Sequence, residues 1–439
     1  MSIEFLTLIF FIAIFISFAL GAQVGFALGG IAMITGYLIE GSWVLNTTPS
    51  TLESNFLSTV LLAIPLYIYM GQILTRSGVG DAMFNTSQML IGKLRGSLAI
   101  SVVVVCSLIG AMVGIIGAGI MTSGSIALKP MLDRGYDRRL ALGVIMAGGG
   151  LGILIPPSIP MIMFASSTNN SIGRMFIAAI GPALLMVTLM ILYIVISCKR
   201  HPERAPLDKI PEVPQSQKDK RATIIGGVCS LSLIVLVLGS IIQGAATPTE
   251  SGAVGVIGAL ILALAFNRFK VKLLLVNAGM ETAVLVSVAM WIIVGASIFS
   301  NYHMMEGARS LVEGFTTDLG LPPWGVILMF QLIMIVLGFI IDEFIIVLIC
   351  APLFTPVAVA LGYDPIWFGL LMILNIEIAV QTPPYGFALF YLKGIAPPDV
   401  SMMDIYRSVT PFVMIKVVVL LLCMTFPQIV LWLPNFVNQ

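Results

Sequence analysis

The sequence predicts an all-α polytopic membrane protein of two inverted-topology repeats, each holding a re-entrant hairpin and a broken transmembrane helix. Three observations carry this. Of 439 residues, 59% are hydrophobic and only 10% are charged, where a soluble chain spends about a quarter on charge. Several apolar stretches are too long for one membrane crossing and too short for two, with Gly and Pro in their middles. Short motifs recur in the same order on either side of one hydrophilic segment. A mean hydropathy of +1.06 excludes a soluble enzyme of two or three domains. A net charge of +1 gives no reason to expect a nucleic-acid partner.

A crossing needs ~20 mostly apolar residues. The candidate runs are 3–39 (one long helix or two short ones, broken near Gly21–Gly25), 56–75, 97–128, 140–167, 175–197, 223–243, 252–267, 273–300, 323–360, 366–395 and 409–433. The first basic residue is Arg76, so the N-terminal run lacks the basic region of a signal peptide and reads as a genuine membrane segment. Interruptions fall at Gly110 to Gly119, Gly148-Gly149-Gly150, Pro156-Pro157, Gly338, Pro352, Pro356 and Pro383-Pro384. Broken helices survive in lipid only where protein buries the freed backbone or where it lines a cavity.

Lys199 to Arg221 holds 11 of the 43 charges and four prolines and reads as a solvated linker. It separates a first repeat, 1–198, from a second, 223–439, with 199–222 between them. Seven of its charges are Lys or Arg, which places it in the cytoplasm with the basic loops 129–139 and 268–272. Loops 40–55 and 301–320, rich in Glu and Asp, fit the outside. These sides alternate only if 97–130 enters and leaves from the cytoplasm and 323–360 from outside, as re-entrant hairpins. Residues 140–167 and 366–395 are then the broken helices.

Gly135-Tyr136-Asp137 recurs as Gly362-Tyr363-Asp364, and Pro156-Pro157 as Pro383-Pro384, both at a shift of 227. Ser171 to Phe176 faces Ser401 to Tyr406 at a shift of 230. The loop around the first Gly-Tyr-Asp is net +2 and that around the second net −1, so equivalent loops lie on opposite faces. Inverted repeats with interrupted helices at matching positions point to a secondary transporter with its sites near the midplane. Carbonyls freed at a break can replace a cation's water, and the free N–H groups of the next half-helix suit an anion. Gly21, Gly29 and Gly258 read instead as close helix packing.

At 111–119 (Ala-Met-Val-Gly-Ile-Ile-Gly-Ala-Gly), 134–139 (Arg-Gly-Tyr-Asp-Arg-Arg), 150–158 (Gly-Leu-Gly-Ile-Leu-Ile-Pro-Pro-Ser), 246–255 (Ala-Thr-Pro-Thr-Glu-Ser-Gly-Ala-Val-Gly) and 381–394 (Gln-Thr-Pro-Pro-Tyr-Gly-Phe-Ala-Leu-Phe-Tyr-Leu-Lys-Gly), the chain resembles the large membrane subunit of the TRAP (tripartite ATP-independent periplasmic) transporters. The resemblance covers essentially the whole chain. It implies a bacterial inner-membrane protein that works with a small four-helix membrane subunit and a periplasmic substrate-binding protein. It further implies sodium-driven import of an organic anion by an elevator-type movement of the hairpins and broken helices. Many members carry Gly-Ser-Ser where this chain has Gly114-Ile115-Ile116, so hydroxyl ligation of an ion there is lost and backbone carbonyls must serve. That version is nearer the branch associated with 2-oxo and hydroxy acids than the sialic acid branch. Asp342-Glu343 doubles a carboxylate that is usually single.

The expected coupling ion is Na+, with no other cofactor. Its candidate ligands are Gly114, Gly117, Gly150, Gly152, Pro156, Gly338, Asp342, Glu377, Thr382 and Pro383. Candidate substrate contacts are Thr122, Ser123, Ser158, Asp342, Thr382 and Gly386. An acid at a helix centre costs ~2.5–3.5 kcal/mol on insertion scales, so Asp342 is assigned to cation or substrate binding in preference to a structural cap. Glu343, about 100° around a helix from it, is expected to look elsewhere, snorkelling or pairing with scaffold. For Glu377 a bond to the broken backbone and ion coordination both stay open. Glu250 reads as a helix-capping acid, and Lys393 and Arg407 as interfacial anchors. With no buried Arg or Lys expected in the hairpins, substrate charge falls to half-helix N-termini, hydroxyls and bound sodium. A stand-alone sodium–carboxylate symporter is the rival within transport. A membrane enzyme would need a nucleophile–base or metal set, which two histidines, His201 and His303, and five scattered cysteines do not supply. A channel would not need duplicated broken helices.

Overall fold

The computed structural model describes residues 3–91, 94–206, 217–266, 271–318, 320–384 and 386–437. Its first run is two helices, α1 (Ile3–Ala19) and α2 (Val24–Glu40). Gly21 turns the chain between them at φ +80 with open space around it, so it serves the turn and not helix packing. The expected outer loop 40–55 contains a helix, α3 (Trp43–Phe56), and the run 56–75 becomes helical only at α4 (Ala63–Arg76). The backbone of the intervening connection is tied to a distant side chain, because the Thr249 hydroxyl donates to Thr59 O at 2.7 Å.

A short helix, α5 (Val79–Ile91), leads into the first hairpin, α6 (Ser97–Val113) and α7 (Ile116–Asp133). Next come α8 (Arg138–Gly150), a single 3₁₀ turn at Leu151–Ile153, α9 (Ile159–Ser167) and the long α10 (Ile172–Arg200). The second half also holds a hairpin followed by a broken helix, with three helices ahead of its short helix where the first half has four. After α11 (Gln217–Ile242), α12 (Pro248–Phe266) and α13 (Val271–Met305), the short α14 (Ala308–Asp318) precedes a hairpin of α15 (Pro323–Gly338) and α16 (Glu343–Ala360). A broken helix, α17 (Pro365–Ala379) and α18 (Ala388–Ile395), then leads to α19 (Met402–Thr425) and α20 (Gln428–Val437). Among the described residues six helices are long and apolar enough to cross a membrane, so the chain is a multi-pass membrane protein.

Local chemistry explains why the recurring motifs recur. Gly135 and Gly362 sit at φ +76 and +90, where a side chain would be strained. Two residues on, Asp137 caps α8 by accepting from Leu140 N at 3.0 Å. Asp364 caps α17 by accepting from Ile366 N at 2.7 Å. Ser171 and Ser401 cap α10 and α19 in the same way. Glu250 closes a reciprocal cap with Thr247 at the start of α12, as its position predicts.

The two halves are interleaved. Helix α2 lies along α13, α4 along α12, α5 along α11 and α8 along α19. The backbones of α2 and α13 meet at Gly25 and Gly295, where a Cβ on Gly295 would overlap the Gly25 backbone. Gly29 packs on the same Gly295 and Gly258 on Leu233, as expected of small residues at helix contacts. The start of the linker is pinned: Asp137 N donates to Arg204 O at 2.9 Å, and Arg204 reaches Ser197 Oγ at 3.0 Å. Positions 207–216 of the expected linker lie outside the described residues.

Candidate functional site

Four interruptions come into contact with one another. The first hairpin turns at Gly114, in a left-handed conformation, and Ile115, extended. The second turns at 339–342. The first broken helix opens over 151–158, with a cis Pro156-Pro157 bond, and the second over 380–387, with a cis Pro383-Pro384 bond. Gly110 on the first hairpin faces Gly152 so closely that a Cβ on Gly152 would lie 2.6 Å from Gly110 O. Gly338 on the second hairpin packs against Ala379. The first hairpin also meets the second broken helix, since a Cβ on Gly117 would lie 2.7 Å from the Tyr391 ring.

The hairpin tips touch through Glu343. Its side chain is 1% exposed, and the backbone N–H of Ile116, the first residue of α7, lies against its carboxylate. The expectation that Glu343 turns to scaffold or lipid is therefore corrected. That expectation placed Asp342 and Glu343 on one helix. Asp342 is instead the extended N-cap residue of α16, at φ −64 and ψ 153, so the helical angle between neighbours does not apply. Its Oδ1 accepts from Phe344 N at 3.0 Å, so the capping role ranked second in the sequence is present. A cap uses one carboxylate oxygen and leaves the other for a ligand.

The remaining candidates divide. Gly150, Gly152, Pro156, Thr382, Pro383 and Gly386 all line the two breaks. Several carbonyls freed there are taken up locally. Leu151 O accepts from Leu154 N and Ile155 N, Val380 O from Ala388 N, and Thr382 O from Gly386 N. The Ser158 hydroxyl donates to Ile153 O at 2.5 Å and caps α9, so its proton is already committed. Thr382 likewise donates to Ile378 O at 2.6 Å. Ser123 faces the Cys106 thiol across the first hairpin and not the breaks. Thr122 is half-buried on α7. Of the two anchors, Arg407 is exposed, while Lys393 bonds Val400 O at 2.5 Å.

Sequence reasoning missed a cation. Lys416, on α19, is fully buried; its Nζ lies 2.5 Å from Glu377 Oε1 and 2.7 Å from Gln381 Oε1. Glu377 thus has a partner that was neither backbone nor a coupling ion. The amide of Gln381 in turn covers Gly150, where a Cβ would overlap Nε2, so one side chain joins the two breaks. A second buried pair ties α17 to α15, with Asn375 Nδ2 donating to Gln331 Oε1 at 2.8 Å. The signal was two opposite charges, each alone in an apolar run, which in lipid must find each other.

Comparison with known proteins decides the family. Residues 11–429 match the family described as "Tripartite ATP-independent periplasmic transporter, DctM component". The chain belongs to this family. It is therefore a TRAP transporter large permease, a transporter and not an enzyme. It is 33% identical over 382 residues to the C4-dicarboxylate TRAP transporter large permease protein DctM of Pseudomonas aeruginosa, covering 86% of this chain and 87% of that one. It is 28% identical over 416 residues to the sialic acid TRAP transporter large permease protein SiaM of Vibrio cholerae, covering 94% and 95%. The fold of this permease is similar to the crystal structure of the Alcanivorax borkumensis YdaH transporter, with TM-score 0.64, 15% identity and coverage of 91% and 95%.

Proposed function

We propose that this permease is the translocation subunit of a sodium-coupled importer of a small organic anion, a carboxylate or sulfonate, in the bacterial inner membrane. It receives substrate from a periplasmic binding protein and works beside a small four-helix membrane subunit. The carrying observation is the convergence of two hairpin tips and two broken helices on one place. Such a place offers backbone oxygens to a cation and half-helix N-termini to an anion. Naming of a relative for C4-dicarboxylates supports the carboxylate class.

The two halves are read as inverted repeats, with the Asp137 loop cytoplasmic and the Asp364 loop periplasmic, because basic residues collect on the first side. An elevator movement is supported by the packing. Helix α13 lies against α16, while α7 and α18 present Met121, Phe390 and Tyr391 to the exterior. The hairpins and broken helices then move against a frame of α2, α4, α12 and α13.

The test is substrate uptake into proteoliposomes holding this chain with its small partner and binding protein. Uptake should need a sodium gradient. Uptake undiminished when choline replaces sodium refutes the ion assignment, and uptake by this chain alone refutes the three-part assembly.

A further inference from the structure

Buried charge is the feature the transport reading has not used. Glu377 and Lys416 both lie in apolar helices with no exposed side-chain area. Glu377, in the last turn of α17, and Gln381, four residues on in the break, present two oxygens to the same Nζ. A carboxylate oxygen, an amide oxygen and the negative end of a helix give an environment that favours a cation. The site has acceptor capacity to spare, since Glu377 Oε2 is buried and has no hydrogen-bond partner. The first half has no counterpart. The shift of 227 that relates the two Pro-Pro pairs carries Glu377 onto Gly150, and the shift of 230 carries Lys416 onto Met186.

We infer that the Lys416 ammonium is a tethered cation that fills, at the second break, a cation site built from Glu377 and Gln381. The first break has no such resident charge. This rests on the transport reading only in supposing that the breaks attract cations. Glu377 and Lys416 are positioning residues, since they act by holding Gln381 over Gly150.

Replacing the tether with a neutral side chain of similar length should open the site to a free cation. The experiment compares wild type, Lys416→Met and the neutral double variant Glu377→Gln/Lys416→Met. Thermal unfolding of each purified protein is followed in choline chloride and in rising sodium chloride. Lys416→Met should be unstable in choline and regain stability with sodium, by about tenfold in its folded-to-unfolded ratio once sodium reaches ~10 times its Kd. The double variant has lost the carboxylate, so its response should stay at the wild-type level. Ethylammonium should replace sodium for Lys416→Ala, because it restores the missing ammonium.

A Lys416→Met protein whose sodium response matches wild type overturns the proposal. So does one recovered equally poorly with and without sodium, or a double variant that gains the same response. Failure of sodium-coupled uptake by the wild type is read in a separate assay. That failure would remove the coupling assignment while leaving a gained cation response in Lys416→Met intact.

Discussion

The side-chain amide of Gln381 rests directly on Gly150, so the second broken helix closes over the first through a contact only glycine admits. A methyl group at 150 must displace Gln381 from Lys416. Gly150→Ala should therefore abolish uptake and lower the melting temperature, as overpacking by about 1–3 kcal/mol does. Gly150→Ala combined with Gln381→Ala should recover the melting temperature but not uptake. Uptake by the single variant at the wild-type rate would separate the two breaks functionally.

Asp342 and Glu343 make different contacts and should fail differently. Asp342→Asn keeps an N-cap oxygen, so the protein should fold with normal stability while coupled uptake is lost. Asp342→Ala should also lose ~1 kcal/mol of stability with the cap. Glu343→Gln should reduce uptake as well, because its carboxylate meets Ile116 at the junction of the hairpin tips. Wild-type uptake by Glu343→Gln would mean that this junction needs no charge.

The frame depends on backbone contact between α2 and α13. Gly295→Ala would push a methyl group into the Gly25 carbonyl, and assembled protein should fall sharply by fluorescence-detected size exclusion. Gly279→Ala on the same helix, where a Cβ meets only the Tyr69 ring edge at 4.0 Å, is the matched control and should assemble normally.

Sidedness follows from charge. Cysteines placed at Asp137 and Asp364 in a chain lacking its own five should be labelled by an impermeant maleimide from opposite faces of the membrane. Labelling from one face ends the inverted-repeat reading.

Three of the four interruptions were legible in the sequence because Gly and Pro mark where a helix cannot continue; the second hairpin turn at 339–342 has only Gly338 beside it, and Pro352 and Pro356, expected to interrupt that hairpin, lie inside α16. The Gly-Tyr-Asp loops were legible for a similar reason: a left-handed glycine and a capping acid are local chemistry. Helix α3 was not legible, since Asn46 to Ser50 reads as turn and Pro49 reads as a stop, yet packing against α2 and α13 holds it helical. The facing of Glu343 failed because Asp342 left the helix one residue early. Lys416 was missed because a buried charge reveals its partner only once two helices distant in sequence are side by side.

One consequence of the interleaving concerns chain continuity. The halves hold one another through α2 with α13, α4 with α12 and α8 with α19, and Arg204 already anchors the end of the first half to Asp137. The contacts that join the halves are thus made by these helix faces. Two separately translated fragments, broken between those positions, should find each other in the bilayer and assemble as one permease, whereas neither should persist when expressed alone.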